Sequence, residues 1–259
     1  MKNLILSVFL IFFLEIKVYA QKSEIINSEN GTLNIKNLKE GTKDYLVYMA
    51  DNTKQKRTAG DLWRRTTTFK KLNGKDVVEF TWKSFVNGKP FNETVNIVDK
   101  RTLSPIFHKS KFSKIGDERY DKLEGTKAYD FYKNKMVPSD SIANNKAKEI
   151  GTKSVTIPII SWEQDLETYA LLPIKKKGQK FDIAFFDPNE KETKYHTYEV
   201  MGKEKLKLNE DTSVSCWVLQ NTEGKKDYYS KFWLSEKSKE VLKMEELFNG
   251  RYRFKVLQY

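Results

Sequence analysis

Along most of this chain apolar and polar side chains alternate with a period of two, and turn signals interrupt the alternation at short, fairly even spacing. In residues 76–86, Val78, Phe80 and Trp82 share one face while Glu79, Thr81 and Lys83 share the other. Phe181, Ile183 and Phe185 face one way in residues 181–186, and Tyr252, Phe254 and Val256 alternate with Arg251, Arg253 and Lys255 near the end. Period two with one apolar face predicts half-buried antiparallel strands, with the apolar set on the buried side. Asn73-Gly74, Asn87-Gly88 and Asn249-Gly250 are the strongest hairpin signals, because a two-residue turn needs positive φ and Asn-Gly tolerates it. Asp187-Pro188-Asn189 and Glu223-Gly224 add two more turns. About ten strands joined mostly by hairpins follow from this spacing. The predicted fold is mainly β: a single curved antiparallel meander sheet, a half-barrel, wrapping a short helix.

That helix is the one segment with a different period. Ser161 offers an N-cap, Glu163 and Asp165 place acids in the first turn, and Trp162, Leu166 and Tyr169 recur at helical spacing. Pro173 then closes it, so residues 161–172 are expected to lie as a helix across the sheet. Residues 138–151 are polar and form either a loop or a weak helix. Residues 96–106 and 232–242 share a strand, charged turn, strand grammar, which is too short a match for a repeat and is taken as two separate hairpins.

The N terminus changes the setting. Lys2 gives a basic start, Leu4 to Leu14 form an almost unbroken apolar run, and Val18-Tyr19-Ala20 supplies a cleavage site. Residues 1–20 are expected to be a secretory signal peptide cut near Ala20, too short for a permanent span. Residues 21–259 are then one antiparallel β domain, periplasmic or secreted. No cysteine follows the apolar run to carry a lipid anchor, and no second stretch reaches roughly 18 apolar residues, so no integral membrane span is expected.

Charge and cysteine narrow the partners. The formal net charge of +12 favours anionic partners, while export disfavours nucleic acid. The basic residues are spread out, Lys175-Lys176-Lys177 being the longest run. Cys216 is the sole cysteine, which excludes an intramolecular disulfide.

Catalytic and metal chemistry find little support. The two histidines, His108 and His196, are far apart and show no zinc-type spacing, so no metal or cofactor is expected. There is no Gly-x-Ser-x-Gly elbow, and Cys216 sits in the run Val214, Cys216, Val218 as a small buried hydrophobe. Glu163, Asp165 and Glu167 stand two apart and point in different directions on a helix. Glu245 and Glu246 are adjacent and face opposite sides of a strand. Neither set places two acids on one glycosidic bond, and the chain is not expected to be an enzyme.

Some strands are apolar on both faces: Val214, Cys216 and Val218 against Trp217 and Leu219, and Phe232 and Leu234 against Trp233. Such a sheet is covered twice. The second cover is another part of the chain, a partner, or a bound amphiphile.

The order of motifs in the second half resembles a known family. Leu171-Leu172-Pro173-Ile174, Gly178, Gly202-Lys203-Glu204, Phe232-Trp233-Leu234-Ser235 and Val241-Leu242-Lys243 follow one another as in the exported bacterial family called domain of unknown function 3108. The likeness covers roughly residues 155–259, more weakly the first half, and each motif alone has low specificity. Members are similar in architecture to periplasmic lipoprotein-carrier half-barrels. The resemblance implies that fold and a periplasmic setting, with no activity and no catalytic residues; the high lysine content departs from the pattern. The functional expectation is a soluble, non-enzymatic envelope binding protein holding a lipid-like or amphiphilic ligand between sheet and helix. Trp162, Leu166, Tyr169, Trp217 and Trp233 would contact it, and Lys175 and Lys176 would meet an anionic headgroup. The alternatives are an envelope protein-interaction module without small-molecule ligand and, further off, a polysaccharide hydrolase.

Overall fold

The computed structural model describes residues 22–58, 60–221, 227–248 and 250–259. The leader read in residues 1–20, the Glu223-Gly224 turn and Asn249 of the last hairpin lie outside the described residues.

A short strand β1 (Glu24–Ile26) precedes β2 (Gly41–Ala50), β3 (Asp61–Leu72), β4 (Lys75–Val86), β5 (Lys89–Asp99) and β6 (Pro105–Phe112). After helix α1 (Glu118–Asp121) come β7 (Gly125–Tyr132), β8 (Lys135–Pro138) and β9 (Lys153–Ser154). The connecting region holds β10 (Ile160–Ser161), helix α2 (Asp165–Ala170), β11 (Lys180–Ile183) and β12 (Phe185–Phe186). Five long strands finish the chain: β13 (His196–Lys207), β14 (Ser213–Asn221), β15 (Tyr229–Ser235), β16 (Val241–Phe248) and β17 (Arg251–Gln258).

Fifteen of these form one sheet in the order β1-β11-β13-β14-β15-β16-β17-β2-β3-β4-β5-β6-β7-β8-β9. Its edges, β1 and β9, do not meet, so the sheet is not closed into a barrel. The expected mainly β architecture with a short helix is what the chain adopts. Seventeen strands are described rather than about ten, because pieces of two to four residues such as β8 to β12 leave no alternation to read. Two pairings are parallel, β1 with β11 and β10 with β12.

The hairpins form where the sequence asks for them. Asn73 and Gly74 have φ of 50° and 79°, and Asn87 and Gly88 have 51° and 75°, the doubly left-handed pattern of a tight hairpin turn. β2 to β7 make one six-stranded meander, and β11 with β13 to β17 make a second. The hairpins at residues 96–106 and 232–242 are the β5–β6 and β15–β16 connections, one in each meander. In both turns a bulge precedes the pair Val98↔Pro105 or Leu234↔Val241. Leu103 and Lys239, at φ 59° and 66°, donate their N–H to the carbonyls of Asp99 and Ser235 at 2.8 and 2.9 Å.

The segment expected as a helix over 161–172 is a 3-10 turn, Trp162–Gln164, followed by α2. The Ser161 hydroxyl does not cap it but donates to Glu163 Oε2 at 2.8 Å. Residues 138–151 hold a 3-10 turn at Lys146–Glu149. Leu166, Tyr169 and Leu171 enter the main core with Ile183, Val200, Leu219 and Phe232. The Tyr169 hydroxyl donates to that of Tyr198 at 2.9 Å, and its ring lies 4.5 Å from that of Phe232.

The last strand reverses an expectation. Lys255 pairs with Val47 and Leu257 with Tyr45, and this is the face toward α2. Tyr252 and Phe254 therefore point to the other side. They are covered there by the chain itself: Tyr48 stacks on Phe254 at 5.0 Å, and Lys54 lies 4.3 Å over Tyr252. Trp217 and Trp233 also occupy opposite faces, since Trp217 pairs with Leu234 and Val218 with Trp233. Trp233 is sealed by Lys243, 4.5 Å over its ring, and by Glu204, which accepts from its Nε1 at 2.8 Å.

The paired turns give opposite outcomes on substitution. Lys239 carries a side chain at positive φ on the surface, so Lys239→Gly should stabilise by up to about 1 kcal/mol in urea titration. Leu103 is 0% exposed, so Leu103→Gly should cost about 2 kcal/mol or more despite the same backbone relief.

Candidate functional site

Alternation on β3 places Trp63, Arg65 and Thr67 on the face toward α2, with Lys43 and Trp82 as the register partners of Arg65 on either side. Arg65 is 4% exposed. Its Nε and Nη2 donate to Glu167 Oε1 and Oε2 at 3.1 and 2.6 Å. Nη2 also donates to the Glu163 carbonyl at 2.6 Å and lies 3.1 Å from Asp165 Oδ1. Asp165 and Glu167, two of the three acids expected to point apart, converge on one cation, while the Glu163 carboxylate turns away toward Ser161 and His108. The planar guanidinium offers five donors in a fork, and the 3-10 turn before α2 swings the Glu163 carbonyl into reach. Burial opposes charge on both partners. Glu167 and Asp165 nevertheless hold Arg65 above its ordinary pKa, and Arg65 holds Glu167 below the usual carboxylate range.

From Glu163 a hydrogen-bonded chain runs across β5 and β6, and its polarity follows from the carboxylate, which only accepts. Ser161 donates to Glu163 Oε2 and so accepts from Asn96 Nδ2 at 2.7 Å. That fixes the amide, and Asn96 Oδ1 faces His108 Nδ1 at 3.2 Å. His108 Nε2 lies 3.0 Å from Ser110 Oγ and 3.7 Å from Glu163 Oε1, which brings the chain back to the carboxylate it starts from. Asn96 and His108 are 0% and 3% exposed. The polar interior of the first meander is therefore organised, not merely tolerated.

Beside this chain stands Lys255, 6% exposed. Its Nζ lies 4.8 Å from the Trp63 ring centre and 5.5 Å from that of Trp82, and the two indoles meet edge to face at 4.8 Å. Burial, with Arg253 and Arg65 nearby, brings its pKa down to about 8 against the pull of Asp165. Arg253 and Glu246 pair at 2.5 Å on the same face.

A cavity of about 260 Å³ opens between the C-terminal end of α2 and strands β2 and β3. Leu38, Ala170 and Leu171 supply apolar wall, and Lys39, Lys43, Arg65 and Lys239 supply cations. Glu240 at its rim is 3.2 Å from Lys43 Nζ.

The sequence-derived set is scattered over this geometry. Leu166 and Tyr169 are core residues under 4% exposed, and half-buried Trp162 packs edge-on against Phe185 and His196 at 5.5 and 5.1 Å. Trp217 and Trp233 are separated by the sheet. Lys175 and Lys176 are exposed in the loop after α2 and do not line the cavity. Cys216 is buried, which pushes its thiol up to about 11. Arg65, Lys255, Trp82 and His108 were missed, and the signal was present: each puts a polar or amphipathic group at a strand position whose neighbours two residues away face the core.

The sequence matches the family described as Protein of unknown function (DUF3108) over residues 44–256, and the chain belongs to that family. No curated protein matches it. Among solved structures it is similar to a β-barrel-like protein of domain of unknown function DUF1849 from Brucella abortus, with 12% identity and TM-score 0.47, covering 85% of this chain and 96% of that one. It is also similar to the hypothetical lipoprotein YmcC from Escherichia coli (K12), with 13% identity and TM-score 0.29, covering 85% and 88%. Among the described residues no helix is long and apolar enough to cross a membrane.

Two buried charges yield stability predictions. Between pH 8 and 10.5 the unfolded chain keeps a proton on Lys255 that the native state has lost, so native stability rises with pH across that window. The stability advantage of Lys255→Met at pH 7 should shrink by about 3 kcal/mol by pH 10.5 in urea titrations; a pH-independent gap would contradict the buried charge. Arg65→Met should cost about 3–5 kcal/mol by stranding Glu167 and Asp165, and adding Asp165→Leu and Glu167→Leu should recover most of it.

Proposed function

We propose that this member of an uncharacterised family is an exported envelope protein that binds, rather than converts, an amphiphilic ligand with an anionic head, held at the C-terminal end of α2 beside β2 and β3. One observation carries the reading: the cavity beside α2 joins an apolar wall of Leu38, Ala170 and Leu171 to the cations Lys39, Lys43 and Lys239, while Glu240 pairs with Lys43, Glu167 with Arg65, and Glu40 lies beside them. That is the chemistry of an acyl chain meeting its headgroup. At about 260 Å³ the cavity suits a head and the first few carbons, each buried methylene contributing about 0.8 kcal/mol. The leader read in residues 1–20 supports a periplasmic setting, where acidic lipids and fatty acids are at hand. The helix–sheet contact around Tyr169 is filled by side chains, so the ligand lies at the end of the helix and not beneath it.

Comparison of oleate with oleyl alcohol tests the reading on delipidated mature protein by calorimetry. Oleate should bind, the alcohol should bind at least about tenfold more weakly, and Lys43→Glu with Lys239→Glu should weaken oleate by a similar factor. Absence of oleate binding, or equal affinity for acid and alcohol, would overturn it.

A further inference from the structure

We propose a second anion site on the same face of the sheet, formed by Lys255 Nζ and Trp82 Nε1, for a compact oxyanion such as a carboxylate or phosphate. It goes beyond the cavity reading and does not rest on it, because neither Lys255, Trp63 nor Trp82 lines the cavity beside α2.

The first support is a surplus of donors. Trp82 Nε1 and Arg65 Nη1 are buried N–H groups with no hydrogen-bond partner. Lys255 Nζ makes neither hydrogen bond nor ion pair among the described residues; it lies against the two indoles, in the field of Asp165, Glu246, Arg65 and Arg253. These groups are neighbours: Arg65 stands opposite Trp82 in register with its Cζ 5.0 Å from the ring, and Lys255 lies 5.5 Å from the same ring. Buried donors are nearly always satisfied, so three together that share no acceptor mark a place built for one.

The second support is that nearby acids are engaged elsewhere. Asp165 and Glu167 from α2 are held by Arg65, and Glu246 from β16 by Arg253. An ammonium between two rings with its own charge unpaired is matched by an acceptor-only group, which can take the ammonium and the indole N–H at once. The indoles contribute flat apolar walls that exclude water and strengthen both bonds. The site lies near the surface: Trp63 and Trp82 are partly buried, and the Arg253 side chain is 32% exposed.

Titration of acetate and inorganic phosphate against the mature protein, followed by the indole N–H resonances, tests the site. Trp82→Phe identifies the Trp82 signal and keeps the ring. Either anion should shift that signal saturably, and comparison of the two shows which head the site prefers. Lys255→Met should weaken the response at least about tenfold, while Lys43→Glu and Lys239→Glu should leave it unchanged, which separates this site from the cavity. Affinity should be level below pH 8 and fall as pH rises above it, as Lys255 loses its proton in the field of Asp165, Glu246, Arg65 and Arg253. No shift of the Trp82 signal with either anion, or a shift that survives in a folded Lys255→Met protein, would overturn the proposal.

Discussion

A guanidinium shut away from water and ringed by two carboxylates and a carbonyl decides where α2 sits, and the interior is arranged around it. Six residues of helix have no stability of their own. Tyr169 seats α2 on the second meander through Tyr198 and Phe232, and Asp165 and Glu167 seat it on the first through Arg65. Buried ion pairs add little net stability once desolvation is counted, so the contribution of Arg65 is better described as position than as strength. With the helix fixed at both ends, the face it crosses is divided. Apolar packing fills the second meander, and an oriented polar chain fills the first.

That division explains why the interesting chemistry lies beside the helix. Where α2 meets Phe232, Val200 and Leu219 there is no room for anything else. At the end of α2 a cavity mixes leucine with lysine, and on the far side of Arg65 two tryptophans hold a lysine. Both places bring cations against apolar side chains. A sheet without closure also leaves its two edges at β1 and β9, away from either place.

The sequence spoke clearly where one local rule settles the outcome. Asn73-Gly74 and Asn87-Gly88 had to be hairpin turns, because both residues of such a turn need left-handed backbone. Val78, Phe80 and Trp82 had to share a face, and they line the side toward α2. Local rules failed where the outcome depends on distant chain. In β17 two alternating sets compete, and charge alone sends Lys255 to solvent. Nothing within the strand announces that Tyr48 and Lys54 will cover Phe254 and Tyr252 on the outside and so leave the lysine inside. Arg65 and Glu167 are 102 positions apart, and their attraction has no periodicity.

The seam between β17 and β2 has a bearing on how the molecule is assembled. Each meander is built from neighbours in sequence, which close short loops and collapse quickly. The seam joins the first long strand to the last, and Tyr45 reaches the Val241 carbonyl across 196 positions. Until that seam forms, the two meanders present facing edges at β2 and β17. Pairing across so long a stretch of chain carries a larger closure cost than any hairpin, and until it forms the edges of β2 and β17 are templates for any other extended chain.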